Sequence, residues 1–118
     1  MRTYQGERSC SKCIVTINGQ PLDPRLDLLK HSPCGFEWGY GGSGPAQLAL
    51  ALLADALNDD DQAVILHHEF KWMVVATLPL HSWRLTRQEI RQSVKALNSV
   101  ARISIKKGDP HGCSLLHL

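Results

Sequence analysis

No apolar run in this 118-residue chain is long enough to span a bilayer. The longest, Ala46 to Leu57, is interrupted by Asp55 and falls short of the roughly 20 residues such a helix needs. The N-terminus has no charged start, apolar stretch and small-residue cleavage site, so no secretory leader is expected. Cys10-x-x-Cys13 is not followed by a second C-x-x-C, which argues against a zinc ribbon. No Lys-Ser/Thr pair follows the glycines at 41–44, and His67-His68-Glu69 lacks the H-E-x-x-H spacing. A P-loop and a zincin site are thereby disfavoured. No charge sign dominates, since the formal net charge is only +2. With four cysteines and no sign of an oxidising compartment, the expectation is reduced thiols, a cytoplasmic location and no membrane association.

What is present fits a folded protein. Apolar residues make up 43% and charged residues 20%, a balance of globular rather than disordered chains. The length suits one domain, 1–118. Charge is uneven along it. Asp55, Asp59, Asp60, Asp61 and Glu69 precede any Lys or Arg until Lys71, whereas Arg84, Arg87, Arg91, Lys95, Arg102, Lys106 and Lys107 are opposed only by Glu89. An acidic end and a basic end are expected.

Tyr4–Arg8 and Cys13–Ile17 read as strands, the second alternating and rich in β-branched residues. Asn18-Gly19 is a turn signal, so Gln20 to Leu22 is expected to pair back as a hairpin. Arg25 to Lys30 can form one helical turn, stopped at Ser32-Pro33. Phe36 to Tyr40 alternates like a short extended segment. Gly41, Gly42 and Gly44 then lead into a helix with Ser43 or Gly44 as N-cap and Pro45 in its first turn. From Ala46 to Leu57 nearly every residue is Ala or Leu, and a helix apolar on all sides belongs in a core. A second helix is expected over Gln62–Leu78, capped by Asp60 or Asp61 and ended near Pro79. Trp83-Arg84-Leu85 reads as an extended link. Thr86-x-x-Glu89 fits a capping box for a third helix from Arg87 to about Leu97. Ala101–Ile105 alternates like a strand, Gly108-Asp109-Pro110 reads as a turn, and the tail as irregular. The fold expected is α+β: an N-terminal hairpin, with Phe36–Tyr40 or Ala101–Ile105 as the candidate third strand, packed on three helices, with the Ala/Leu helix buried.

The run F-E-W-G-Y-G-G-S-G-P-A-Q-L-A-L-A-L-L-A-D, Phe36 to Asp55, resembles the signature of a small bacterial, plasmid and phage family of unknown function. The resemblance extends to Tyr4-x-Gly6, Phe70-Lys71, Val74-Val75-Ala76, Leu78-Pro79, Trp83-x-Leu85-Thr86 and Glu89-Ile90. It spans residues 4 to about 97 and leaves 98–118 as a C-terminal extension. Cys10-x-x-Cys13 lies outside the pattern. The resemblance implies a mobile-element setting and supplies no reaction and no catalytic residues.

Three features are candidates for chemistry. The glycine loop could hold an anion or nucleotide phosphate through Gly41, Gly42, Ser43, Gly44 and Ala46, since a helix start offers unpaired N–H groups. Glu37 and Gln47 could orient such a ligand, or could satisfy loop backbone groups. On the other reading, the glycines simply allow close packing. Cys10 and Cys13 have half the spacing of a zinc site that His31, Cys34, His111 or Cys113 would have to complete. Adjacent His67 and His68 point about 100° apart on a helix, which argues against a shared catalytic role. Arg87, Arg91 and Lys95 form an i, i+4, i+8 stripe that Arg84, Arg102, Lys106 and Lys107 could extend. The stripe could meet phosphates, meet an acidic protein surface, or simply be solvated. Trp72 could be an outward aromatic.

With no assembled catalytic set and no cofactor motif, the expected function is non-enzymatic binding. It is that of a mobile-element accessory protein contacting a host protein or nucleoprotein complex, most concretely as an inhibitor of a defence complex such as CRISPR–Cas. Phosphate or nucleotide binding by the glycine loop and nucleic-acid binding by the third helix are the alternatives. A homodimer, the basic helix of one copy meeting Asp59–Asp61 of another, is also open.

Overall fold

A computed structural model describes residues 2–10, 12–32 and 35–106, the last eight of these as backbone only. Strands β1 (Thr3–Ser9), β2 (Lys12–Ile17), β3 (Gln20–Pro21) and β4 (Ser82–Thr86) form one antiparallel sheet in the order β3-β2-β1-β4. Helices α1 (Ser43–Leu57), α2 (Asp60–Met73) and α3 (Arg87–Lys106) complete an α+β fold. No helix among the described residues is long and apolar enough to cross a membrane.

The hairpin signals operate as expected. Asn18 and Gly19 both have positive φ, 49° and 84°, the backbone that a tight two-residue turn requires. Thr16 therefore pairs with Pro21 and Ile17 with Gln20. Alternation along β1 puts Tyr4 and Gly6 into the core and Gln5 and Glu7 outward.

One core joins the layers. Tyr4, Val15 and Trp83 come from the sheet, Leu48 to Leu53 from α1, Ala63 and Phe70 from α2, and Ile90 and Val94 from α3. Twelve of the fifteen residues of α1 are buried, as a helix with no polar face must be. Each fully buried Leu contributes about 1.5–3 kcal/mol of transfer free energy.

Several boundaries differ from the sequence reading. The segment 36–40 is not a strand: Gly39 has φ 85° and its N–H bonds to Val75 O at 3.0 Å. The free edge of β1 is taken instead by β4, the Trp83-Arg84-Leu85 segment, with Gly6 facing Trp83. The N-cap of α1 is Gly42. For α2 it is Asp59, whose carboxylate accepts from Gln62 N at 3.1 Å. α2 ends at Met73 and a 3-10 turn, Val75–Thr77, follows. Val74 and Val75 are β-branched and favour helix poorly, and Thr77 Oγ1 donates to Val74 O at 2.8 Å. The strand expected at Ala101–Ile105 is helix, because α3 runs to Lys106 with no Gly or Pro inside it. Gly108-Asp109-Pro110 and the tail lie outside the described residues.

The capping box forms as spelled. Glu89 N donates to Thr86 Oγ1 at 3.1 Å and Thr86 N donates to Glu89 Oε1 at 2.8 Å. Gly6 has a different reason. A Cβ there would overlap the Trp83 indole, which packs edge-on to Trp38 with ring centroids 5.6 Å apart. Gly6→Ala should therefore lower unfolding free energy by about 1–3 kcal/mol, read from urea denaturation followed by tryptophan fluorescence. An unchanged midpoint would mean that the indole can shift freely.

Candidate functional site

The glycine loop is packed from both sides. A Cβ on Gly41 would overlap the Trp72 ring, one on Gly39 would overlap Leu80, and one on Gly44 would sit 2.7 Å from Glu37 Cβ. Ala46 N bonds to Gly42 O at 2.9 Å as the helix closes its first turn. Gln47 is fully buried and turned away from the loop. Its Nε2 donates to Pro24 O and Leu29 O at 2.6 and 3.0 Å, and its Oε1 accepts from His31 N and Ser32 N at 2.7 and 3.1 Å. All four of its hydrogen-bond positions are filled. Gln47 satisfies no backbone group of the glycine loop; it holds the 24–32 segment against α1 instead.

Glu37 is similarly engaged. Its carboxylate takes a two-pronged pair from Arg8 at 2.8 and 3.1 Å and accepts from the Cys13 thiol at 3.2 Å. The Arg8 hydrogen bonds hold the Glu37 carboxyl below the usual carboxylate range, while burial and the adjacent carboxylate push the Cys13 thiol up. A thiol so placed is a poor nucleophile. Cys10 is exposed at the tip of the β1–β2 hairpin. The two cysteines belong to no cluster of three potential metal ligands among the described residues. Cys34, His111 and Cys113 lie outside those residues.

The basic stripe of α3 divides into two uses. Arg87 and Arg91 both turn their Nε to Ala56 O, at 3.0 and 2.9 Å. Ala56 lies in the last turn of α1, which has no basic residue of its own. The guanidinium groups therefore supply from α3 the cations that a helix C-terminus favours. Asn58 finishes that end with φ 51° and its N–H on Ala54 O at 3.1 Å. Lys95 and Arg84 are exposed. A cleft of about 500 Å³ lies beside this helix end, lined by Arg2, Arg25, Arg87, Asp55 and Asp60 among others. Its charges are largely matched internally: Arg25 pairs with Asp60 at 2.8 Å and Arg2 with Asp55 at 3.8 Å, and Asp55 also accepts from Tyr4 Oη at 2.6 Å.

Among the described residues, two further features stand out. Trp72 is 61% exposed, with the Lys71 ammonium 4.6 Å from its ring centroid. Tyr40, Met73 and Leu80 are also exposed; Tyr40 borders Gly42 and Leu80 borders Gly39, on either side of the Gly41 beneath Trp72. The second was not legible as a unit in the sequence. His31, His67 and His68 converge, their ligand atoms all within 4.8 Å of one another. His67 is buried and His68 exposed. Burial, with the neighbouring His68 and Lys71 charges, lowers the His31 pKa. Burial lowers that of His67 too, against a Val64 carbonyl contact that raises it. The only signal available in the chain was the His67-His68 pair, because His31 joins it solely through the folding of the 24–32 segment.

The fold is that of a small α+β protein in which Gln47, Glu37 and Arg8 are engaged in structural hydrogen bonds. Residues 4–96 match the family of unknown function DUF6166, and the chain belongs to that family. No curated protein and no solved structure gave a match.

Gln47→Leu should cost about 2–4 kcal/mol, since it strands buried backbone groups of the 24–32 segment. Denaturant unfolding checks the size, and faster amide exchange at His31 and Ser32 checks the location. Glu37 sets a pH dependence. Its folded pKa is depressed, so the unfolded chain takes up that proton first as pH falls. The stability it contributes is complete at neutral pH and lost through the usual carboxylate range and below. Unfolding midpoints measured against pH should decline less on the acid side for Glu37→Gln than for wild type.

Proposed function

We propose that this protein is a non-enzymatic binding protein that meets a protein partner through the Trp72 face. The observation that carries the reading is the exposure of Trp72 on a rigid seat. Its indole rests on Gly41, where no side chain could fit, and 61% of the residue still faces solvent. A large aromatic held in one orientation loses little entropy on binding, and such residues often dominate interface energies. Tyr40 and Leu80 are also exposed and border the neighbouring glycines Gly42 and Gly39. The engagement of Gln47, Glu37 and Arg8 in structural hydrogen bonds adds support, because it leaves the glycine loop without a polar set aimed at a small molecule.

A tagged full-length chain should capture a partner from the host's lysate, and Trp72→Ala should abolish capture while its circular dichroism and melting temperature stay within error. Equal capture by both forms, or none by wild type, overturns the reading. Lys95→Glu and Arg84→Glu provide the charge control, both sites being exposed. Arg87→Glu and Arg91→Glu are unsuitable because they would also remove the cap of α1. The narrower version has the partner as a bacterial defence complex that the protein inhibits. It rests on the mobile-element resemblance of the 36–55 motif. Interference by a CRISPR–Cas system against a targeted plasmid should fall when the wild-type chain is co-expressed and recover with Trp72→Ala.

A further inference from the structure

The geometry points to a transition-metal site, of the zinc class, formed by His31, His67 and His68. His31 comes from the connection between β3 and α1, and the other two from the middle of α2. Their ligand atoms already lie within 4.8 Å of one another. A tetrahedral ion with nitrogen at 2.0–2.1 Å needs those atoms about 3.4 Å apart. His31 Nε2 and His67 Nε2 are closer than that, at 2.9 Å. The rings of His67 and His68 are 4.1 Å apart by centroid. Small ring rotations, chiefly of exposed His68, would bring three nitrogens around one ion.

The proton arrangement at His67 is the second observation. Its Nδ1 lies 2.7 Å from Val64 O. A carbonyl can only accept, so Nδ1 carries the hydrogen and Nε2 of the neutral ring presents its lone pair towards His31. Metal-bound histidines characteristically donate their second ring N–H to a backbone carbonyl or carboxylate, which fixes tautomer and orientation. His31 is also held in advance, since Gln47 Oε1 accepts from its backbone N–H at 2.7 Å. Without metal, His31 Nε2–H donates to His67 Nε2. On binding, the ion occupies the place of that proton, and His31 carries its hydrogen on Nδ1 instead. Both rings stay neutral and no net proton is released.

Three imidazoles select for Zn²⁺, Co²⁺, Ni²⁺ or Cu²⁺ and against Mg²⁺ and Ca²⁺, which take oxygen ligands. Three protein nitrogens leave one coordination position for water or another ligand. The ion would fasten the 24–32 segment to α2. Lys71 contributes a like charge on the same side, acting on His31, so its removal should tighten binding.

The test uses the metal-free full-length chain titrated with Zn²⁺ by calorimetry and with Co²⁺ by visible absorption. One equivalent of Zn²⁺ should bind and raise the melting temperature, and Mg²⁺ should do neither. His68→Ala, at an exposed position, and His31→Ala should each weaken binding at least about tenfold, and Lys71→Gln should strengthen it. Co²⁺ should give ligand-field bands without thiolate charge-transfer absorption. Affinity unchanged in His68→Ala overturns the proposal even if His67→Ala fails to fold. Thiolate bands would move the ion to cysteine, and no binding at roughly micromolar Zn²⁺ would leave only a histidine–histidine hydrogen bond. Either result also overturns it.

Discussion

The burial of α1 on all sides is the constraint to which the other elements answer. The end groups of a helix have no partner inside it, and the C-terminal ones of α1 are met by protein. At the C-terminal end, Asn58 turns left-handed to close on Ala54 O, and Arg87 and Arg91 reach from α3 to Ala56 O. At the N-terminal end, Ala46 N–H donates to Gly42 O in the first intrahelical bond, the start lies open at exposed Ser43, and glycines let Glu37 and Trp72 pack close beside it. The single buried amide side chain on the helix, Gln47, uses every hydrogen-bonding position on the 24–32 segment. Residues that resemble recognition groups when read singly are thus largely spent on accommodating one apolar rod.

Aromatic side chains and glycines are matched across the molecule. Trp83 lies over Gly6 and Trp72 over Gly41, while Trp38 meets Trp83 edge-on with the Arg8 guanidinium 5.1 Å from its ring centroid. Flat rings fill space best against a backbone with no Cβ, and rings are the costliest groups to misplace. The same pairing leaves one ring, Trp72, facing solvent, and the course of the 24–32 segment brings His31 to α2. Packing demands and candidate contact surfaces therefore have a common origin.

Local chemistry was legible where neighbours in the chain decide the outcome. Asn18-Gly19 dictated a hairpin, Thr86-x-x-Glu89 a reciprocal cap, and the Ala/Leu run a buried helix, since each rests on residues within a few positions. The α+β class follows from those elements. The failures share a cause. Phe36–Tyr40 and Trp83–Leu85 are both short apolar alternations, and only the open edge of β1 determines that the second becomes a strand. Ala101–Ile105 alternates like a strand but continues a helix already nucleated by the Thr86 cap.

Site geometry was the least legible. Arg87 and Arg91 form a helical stripe in any linear reading, and nothing in their spacing says that a carbonyl 31 and 35 positions earlier will claim them. His31 and His67 are 36 residues apart, and the packing of the 24–32 segment, with its Gln47 bonds, brings the first onto the helix that carries the second. By itself the sequence determined which segments bury apolar surface and where turns and caps fall, because propensity and periodicity act over a few residues. Tertiary structure alone decided which polar groups are consumed in holding the fold and which side chains it brings together from distant segments. Hydrogen bonds between distant segments allocate donors and acceptors only once the chain is packed.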